Sequence, residues 1–468
     1  MKQVICILLI VCLLMVAAAC AAPDGKTPQY EEEYKLHDGT KAIVILPGLL
    51  ASGLYDVETG EALWDPIEGD DVDMLEFMGV YDQTHQNVTI DTALNEFWSL
   101  WDIVSDILAD NDRSLMRRIM CDEAGEPSAV AAAVPTDYEG HIKYGALNSY
   151  KWWVEGLKEV YGEQYEVVVY NYNWLTDTRY AARDFAEFMR RNNYTDSILI
   201  GHSMGGIVAG EYLALGAENR ARIDKFIAVA VPFYGSYMAC TTLENPYGFM
   251  QLIDDMLSSV SFDADSPLSL LDLGGVRDGI GKLYEKMIIP FLYNMKSVYQ
   301  LLPSAELLRL QEDVEGDGIY EDGRRIDAAA LFDWYRSRPF ARTDPRATKA
   351  AAASLEERAI FADWQAYRDG FYVDKPEGKT FSCDLVDTYY LVGVGHSTTT
   401  ALVVEGERRV GQDTRDGDGT VPTLSATRGR SLADDHVYAV EGMTHIPMGC
   451  LWAGGQKEAV LAIIGSGE

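Results

Sequence analysis

Three side chains in this sequence have the chemistry for nucleophilic acyl transfer. Ser203 stands in Gly201-His202-Ser203-Met204-Gly205, Asp418 in Asp416-Gly417-Asp418-Gly419-Thr420, and His445 in Glu441-Gly442-Met443-Thr444-His445-Ile446-Pro447. A serine hydroxyl is a weak nucleophile until a base takes its proton, and an imidazole acts as that base when a carboxylate holds its Nδ1–H and fixes the tautomer. Serine, acid, histidine is also the chain order that accompanies a strand-to-helix nucleophile turn. Gly-x-Ser-x-Gly alone is a weak pattern, and its bland reading is a buried serine in a tight turn. The downstream acid and histidine argue against that reading.

The flanks of Ser203 fit the same chemistry. Ser197-Ile198-Leu199-Ile200 is a short apolar strand and Ile207-Val208-Ala209 belongs to an apolar helix, so the turn between them is tight enough to need Gly201 and Gly205. A helix starting behind Ser203 points its free N–H groups and positive end at the charge that develops in acyl transfer. The amide of Met204, just after the nucleophile, is one expected oxyanion donor. The other is expected from the loop after an early strand: Lys41-Ala42-Ile43-Val44-Ile45-Leu46 runs into Pro47-Gly48-Leu49, which nominates the amide of Leu49. Asp413 and Asp416 are the rival carboxylates. His396 precedes the acid, His436 begins a strand and so belongs at the opposite sheet edge, and His202 reads as a packing residue beside the nucleophile.

The elements that position these residues alternate. A helix face at Trp153, Leu157 and Val160 is followed by the strand Tyr165 to Tyr170; a helix from about Thr178 carries Ala181, Phe185, Phe188 and Met189 on one side and leads into the elbow strand. Further strands are expected at Lys225 to Val231, Thr388 to Gly395 and Val437 to Val440. Strand and helix in alternation imply a parallel sheet with right-handed crossovers, and parallel strands deliver their C-terminal loops to one edge, which brings His445 to Ser203.

At 468 residues with 48% apolar content, 27 Tyr and 9 Trp, the chain can bury a large core. The formal charge of −34, from 73 acidic against 39 basic residues, argues against nucleic acid and against electrostatic capture by an anionic membrane. Residues 1–19 read as an export signal, with Lys2 and an apolar run from Val4 to Ala19. Val16-Ala17-Ala18-Ala19-Cys20 resembles a bacterial lipoprotein signal in which Cys20 becomes the acylated anchor; Ala17 replaces the usual leucine, so cleavage near Ala22 and simple secretion stays open. Residues 20–40 form an acidic tether. Cys121, Cys240, Cys383 and Cys450 allow none, one or two disulfides in an oxidising compartment, and no spacing among them suggests a metal.

Two stretches depart from the alternation. Within residues 55–134, Leu94, Phe97, Trp98, Trp101, Val104 and Leu108 form a helical stripe; such stripes are mostly core, and a membrane contact through Trp98 and Trp101 is the sharper alternative. Residues 237–385, rich in long apolar runs, read as a cap inserted in a core of 41–236 and 386–468. Within the cap, Asp313-Val314-Glu315-Gly316-Asp317-Gly318 superficially matches a calcium loop, but Arg324 occupies the twelfth position and a solvated turn is expected.

The ordered set Leu46-Pro47-Gly48-Leu49, Tyr172-Asn173-Trp174, Gly201-His202-Ser203-Met204-Gly205, Pro232-Phe233-Tyr234-Gly235-Ser236, Leu301-Leu302-Pro303-Ser304, Gly417-Asp418-Gly419-Thr420-Val421-Pro422 and the late His445 resembles the lecithin:cholesterol acyltransferase family. Asn173 stands where that family usually has aspartate, and its following arginine is missing. The resemblance implies an α/β-hydrolase with an inserted cap, no cofactor, and an acyl-ester substrate drawn from lipids, with water or an alcohol as acceptor. The competing expectations are a surface lipoprotein on a retired hydrolase scaffold and a peptidase or thioesterase of the same fold.

Overall fold

The computed structural model describes residues 39–60, 62–64, 118–135, 138, 142–244, 289–337, 364–375, 378–405, 408–414 and 417–466. Residues 1–38, read as an export signal with Cys20 and an acidic tether, the stripe bearing Trp98 and Trp101, and the cap residues 245–288 and 338–363 lie outside them.

Six parallel strands make the central sheet: β1 (Ala42–Leu46), β2 (Glu166–Val169), β3 (Ser197–His202), β4 (Ile223–Val229), β5 (Asp387–Val394) and β6 (Val437–Glu441), in the order β6-β5-β4-β3-β1-β2. β1 is apolar and buried at every position, as a strand covered on both faces must be. Its side chains alternate: Ala42, Val44 and Leu46 enter one core, Ile43 and Ile45 the other. The edge strand β2 is buried only at Val167 and Val169.

Helix α1 (Lys151–Tyr161) places Trp153, Val154 and Leu157 on the Ile43 face, where the C-terminal helix Gly454–Gly465 adds Val460 and Ile463. The opposite face carries α2 (Thr178–Arg191) and α3 (Met204–Leu215). α2 is amphipathic, opened by the Asp177 carboxylate, which accepts from the Arg179 amide, and closed by Arg190 and Arg191 at its negative end. α3 is buried from Met204 to Leu213 because residues from the cap cover the side turned away from the sheet; Phe371 and Cys383, for example, lie against Gly210.

After β1 the chain crosses to β2 on one side and then back past β1 to β3 on the other. The switch in strand order therefore falls between β1 and β3, whose C-terminal ends are Leu46 and His202, paired in register as Leu46 with Gly201. A crevice at such a switch is where open α/β sheets bind ligands. This parallel sheet, its helices on both faces, and its elbow after β3 make the molecule an α/β-hydrolase.

A second sheet of four strands, absent from the sequence reading, joins Gly318–Glu321 and Arg324–Arg325 from the cap to Thr398–Glu405 and Arg408–Thr414 from beyond β5. The cap and the segment leading to Asp418 are thus one unit of structure. The run resembling a calcium loop is, as expected, a turn, exposed at Asp313, Val314 and Glu315, and Asp317 near its end turns inward. Asp317 is buried, accepting from Thr400 Oγ1 at 2.6 Å and Gln311 Nε2 at 3.4 Å, and braces this junction. Cys121, Cys240, Cys383 and Cys450 are buried and joined by no disulfide; desolvation pushes Cys121 and Cys383 up to about 12, so neither forms thiolate near neutral pH.

Candidate active site

Ser203 occupies the turn between β3 and α3 with φ 52 and ψ −126, a conformation that L-residues rarely adopt. The turn is held at both sides, since the Ser203 amide donates to Val229 O at 2.9 Å and Ser203 O accepts from the Gly206 amide at 3.0 Å. Close packing explains Gly205: a Cβ there would stand 2.1 Å from Leu46 O, so α3 could not start against the end of β1.

Asp418 follows the excursion beyond β5, and its loop folds back so that Asp418 is 2% exposed. Oδ1 accepts from the amides of Thr420 at 2.9 Å and Val421 at 2.7 Å, leaving Oδ2 for His445. The Gly419 amide donates to Thr398 Oγ1 at 2.8 Å, which ties the loop to the second sheet. His445 begins the short helix His445–Cys450 after β6, and its own amide donates to Asp418 O at 3.0 Å.

These three side chains form one hydrogen-bonded series. Asp418 Oδ2 lies 2.7 Å from His445 Nδ1, and His445 Nε2 lies 2.9 Å from Ser203 Oγ. A carboxylate accepts only, so Nδ1 carries the proton and Nε2 is free to accept from the serine hydroxyl. His445 keeps 12% of its side chain accessible between a 2%-exposed Asp418 and an 8%-exposed Ser203.

The loop after β1 is clamped from several elements. Pro47 O accepts from Tyr172 Oη at 2.7 Å, Ser52 O from Trp174 Nε1 at 3.1 Å, and Leu50 O from Trp64 Nε1 at 2.6 Å, while Leu50 itself has φ 66. Tyr172-Asn173-Trp174 therefore serves the loop that the sequence assigned to oxyanion binding. Asn173 fills the usual aspartate position by donating to Ala131 O and accepting from the Leu175 amide. The Gly48 amide is taken by Tyr150 Oη at 2.8 Å, which leaves the amide of Leu49 as the next donor along. Met204 heads α3, where the first N–H groups of a helix have no intrahelical acceptor. A Cβ on Gly48 would lie 3.2 Å from Ser203 Cβ, so the loop and Ser203 are in contact.

The other histidines sort by position. His436 lies 3.3 Å from Asp387, the first residue of β5, at the edge opposite Ser203. His202 is more than packing: both its ring nitrogens are bonded, and burial, with the nearby His445 adding to it, pushes it down to about 3. Sequence reasoning missed Tyr150, whose position at the head of α1 carries no signal of its reach to Gly48 and His202.

The fold and this arrangement define an α/β-hydrolase with a nucleophile elbow. The family model for lecithin:cholesterol acyltransferase matches residues 138–263, spanning β2, β3, Ser203 and β4, and supports an LCAT-like family. No curated protein matches the sequence. Among solved structures, a chain of the Tle4-Tli4 complex aligns over 92% of this chain and 99% of its own, at 14% identity and a TM-score of 0.44. An esterase (EaEST) from Exiguobacterium antarcticum covers 33% of this chain and 60% of its own at 16% identity (TM-score 0.21), and a bromoperoxidase from Bacillus anthracis covers 40% and 72% at 15% identity (TM-score 0.22). The family match supports an enzyme that acts on lipid esters, as hydrolase or acyltransferase.

Proposed function

We propose that the chain is a serine-dependent hydrolase or O-acyltransferase of lipid esters that works through an acyl-serine, with Ser203 as nucleophile, His445 as general base and then acid, and Asp418 as its orienter. The observation that carries this reading is the continuous series from Asp418 Oδ2 through His445 to Ser203 Oγ at 2.7 and 2.9 Å, ending on a serine held at a strained turn. In the first half-reaction Ser203 Oγ attacks the ester carbonyl while its proton passes to His445 Nε2, and the amides of Leu49 and Met204 receive the developing oxyanion. Collapse breaks the acyl C–O bond, and His445 returns the proton to the leaving alcohol. Water or a second alcohol then gives its proton to His445 and takes the acyl group from Ser203, whose departing Oγ recovers that proton from His445 Nε2. No cofactor enters either half. A fluorophosphonate probe tests the reading: it is expected to label one site per chain, at Ser203, and labelling elsewhere or not at all would remove the serine from its role.

The same proposal places the enzyme outside the cytoplasm, as a cell-envelope lipoprotein anchored through Cys20 or as a secreted protein. The apolar run of 1–19 ending at Cys20 supports this. Among the described residues no helix is long and apolar enough to cross a membrane. With a formal charge of −34 the surface offers no attraction to anionic lipid, so contact with a lipid surface falls to apolar side chains, of which Trp98 and Trp101 are the candidates. Replacing both with polar residues is expected to lower turnover of phospholipid vesicles strongly and of a soluble short-chain ester little, since only the first requires partition of about 1.5 to 3 kcal/mol per large side chain. Equal loss on both substrates would make the stripe core; no loss on either would move the contact to the cap.

A further inference from the structure

Gly48, Tyr150, His202 and His445 are joined in a buried chain of hydrogen bonds that the reaction as described does not use. The Gly48 amide lies 2.8 Å from Tyr150 Oη, Tyr150 Oη 2.8 Å from His202 Nδ1, and His202 Nε2 3.1 Å from the backbone oxygen of His445. The Gly48 amide can only donate, so Tyr150 Oη accepts from it, and the His445 carbonyl can only accept, so His202 Nε2 carries a proton. With the buried ring held neutral, Nδ1 is left to accept the Tyr150 hydroxyl proton.

The packing is as restrictive as the bonding. Tyr150 is 1% and His202 6% exposed. A Cβ on Gly48 would stand 3.2 Å from His202 Nδ1, and one on Gly449, in the helix that His445 begins, 2.3 Å from the same atom. The His202 ring fills the gap between the loop after β1 and the helix carrying the base. Its own ring lies 5.2 Å from that of His445, centre to centre.

We infer that Tyr150 and His202 are positioning residues that lock the oxyanion loop to the histidine loop, turning the Gly48 amide away from Ser203 so that the Leu49 amide faces the reacting carbonyl. The inference rests on the serine reading above and adds to it a device that sets oxyanion geometry from behind the nucleophile. A neutral His202 suits the task, because a second imidazolium beside His445 would oppose the protonation of His445 on which each half-reaction depends.

The test measures p-nitrophenyl butyrate turnover, the Ki of a trifluoromethyl ketone whose serine adduct carries the oxyanion, and thermal unfolding, in wild type, Tyr150→Phe, His202→Gln and the double variant. Phenylalanine keeps the ring and removes both bonds at Oη. Glutamine can still donate to His445 O but offers Tyr150 no acceptor in the place of Nδ1. Tyr150→Phe is expected to lower kcat by about 10- to 100-fold with KM little changed, less than the 10²–10³ lost when an oxyanion donor is removed outright, and to raise the Ki by the same factor. The double variant is expected to be no worse than the poorer single, since both changes break the same Tyr150–His202 link. His202→Gln leaves the Gly48 bond to Tyr150 in place and carries the same test if Tyr150→Phe does not fold. Turnover within about two-fold of wild type, a fall in turnover with an unchanged Ki, or losses that multiply in the double variant would each overturn the inference. Failure of the serine reading shows separately, as wild type that neither takes up a fluorophosphonate nor turns over the ester.

Discussion

Ser203→Ala is expected to lose ester turnover by a factor on the order of 10⁶ in kcat while the chain stays folded. The loss is large because no other group takes the acyl carbon: His445 Nε2 has the Ser203 hydroxyl as its partner at 2.9 Å, and without it the first half-reaction has no covalent step. Ser203→Gly provides the control. At φ 52 and ψ −126 alanine inherits the strain of the serine and glycine does not, so at this position glycine is expected to unfold at or above the temperature of alanine, the reverse of their usual order in regular structure. Both variants are expected to be inactive. Ester hydrolysis within about a hundred-fold of wild type in either one, measured with protein free of contaminating esterase, would take the nucleophile's role from Ser203.

The parts of this site that were legible in the sequence are those written in adjacent residues. Short, β-branched apolar runs such as Ala42–Leu46 and Ile198-Leu199-Ile200 read as strands of a covered sheet, and a glycine-framed serine directly after one of them leaves little choice of turn. That Ser203, Asp418 and His445 meet then follows from a sheet whose C-terminal loops share one edge. What could not be read is what distant segments do together. Thr398–Glu405 and Gly318–Glu321 are short strands whose pairing depends on a cap fold that no local pattern specifies. Tyr150 looks like one more apolar position at the head of a helix, yet its hydroxyl reaches residues 102 and 52 positions away. His202 gave the same difficulty. Its type and place suggested packing, and only the partners on both sides of the ring show it to be a bonded link.

The cysteines show the limit from the other side. Their even number in a chain read as exported left disulfides open, and none joins them: Cys121 Sγ lies 3.6 Å from Leu175 O, Cys383 lies against Gly210 of α3, and Cys450 ends the helix that starts at His445. A buried cysteine in such a place behaves as a small apolar side chain.

Asp418→Asn is expected to cost turnover on the order of 10⁴-fold, and the backbone around it says why. The amides of Thr420 and Val421 both donate to Oδ1, at 2.9 and 2.7 Å. An asparagine at 418 must therefore keep its carbonyl oxygen on those two amides and present its NH₂ to His445 Nδ1. Nδ1 then has to accept, the ring proton moves to Nε2, and the imidazole meets Ser203 Oγ with a proton where it needs a lone pair. The fold should hardly notice, since the Asp418 oxygen that accepts from the His445 amide belongs to the backbone. Asp416→Asn, the neighbouring carboxylate, is the comparison, and it is expected to stay near wild type because its loss leaves the His445 tautomer untouched. The measurement is kcat/KM of both variants on one soluble ester, with unfolding temperature as the check on structure. Equal rates in the two variants would mean that Asp418 does not orient the base, whatever its distance from His445.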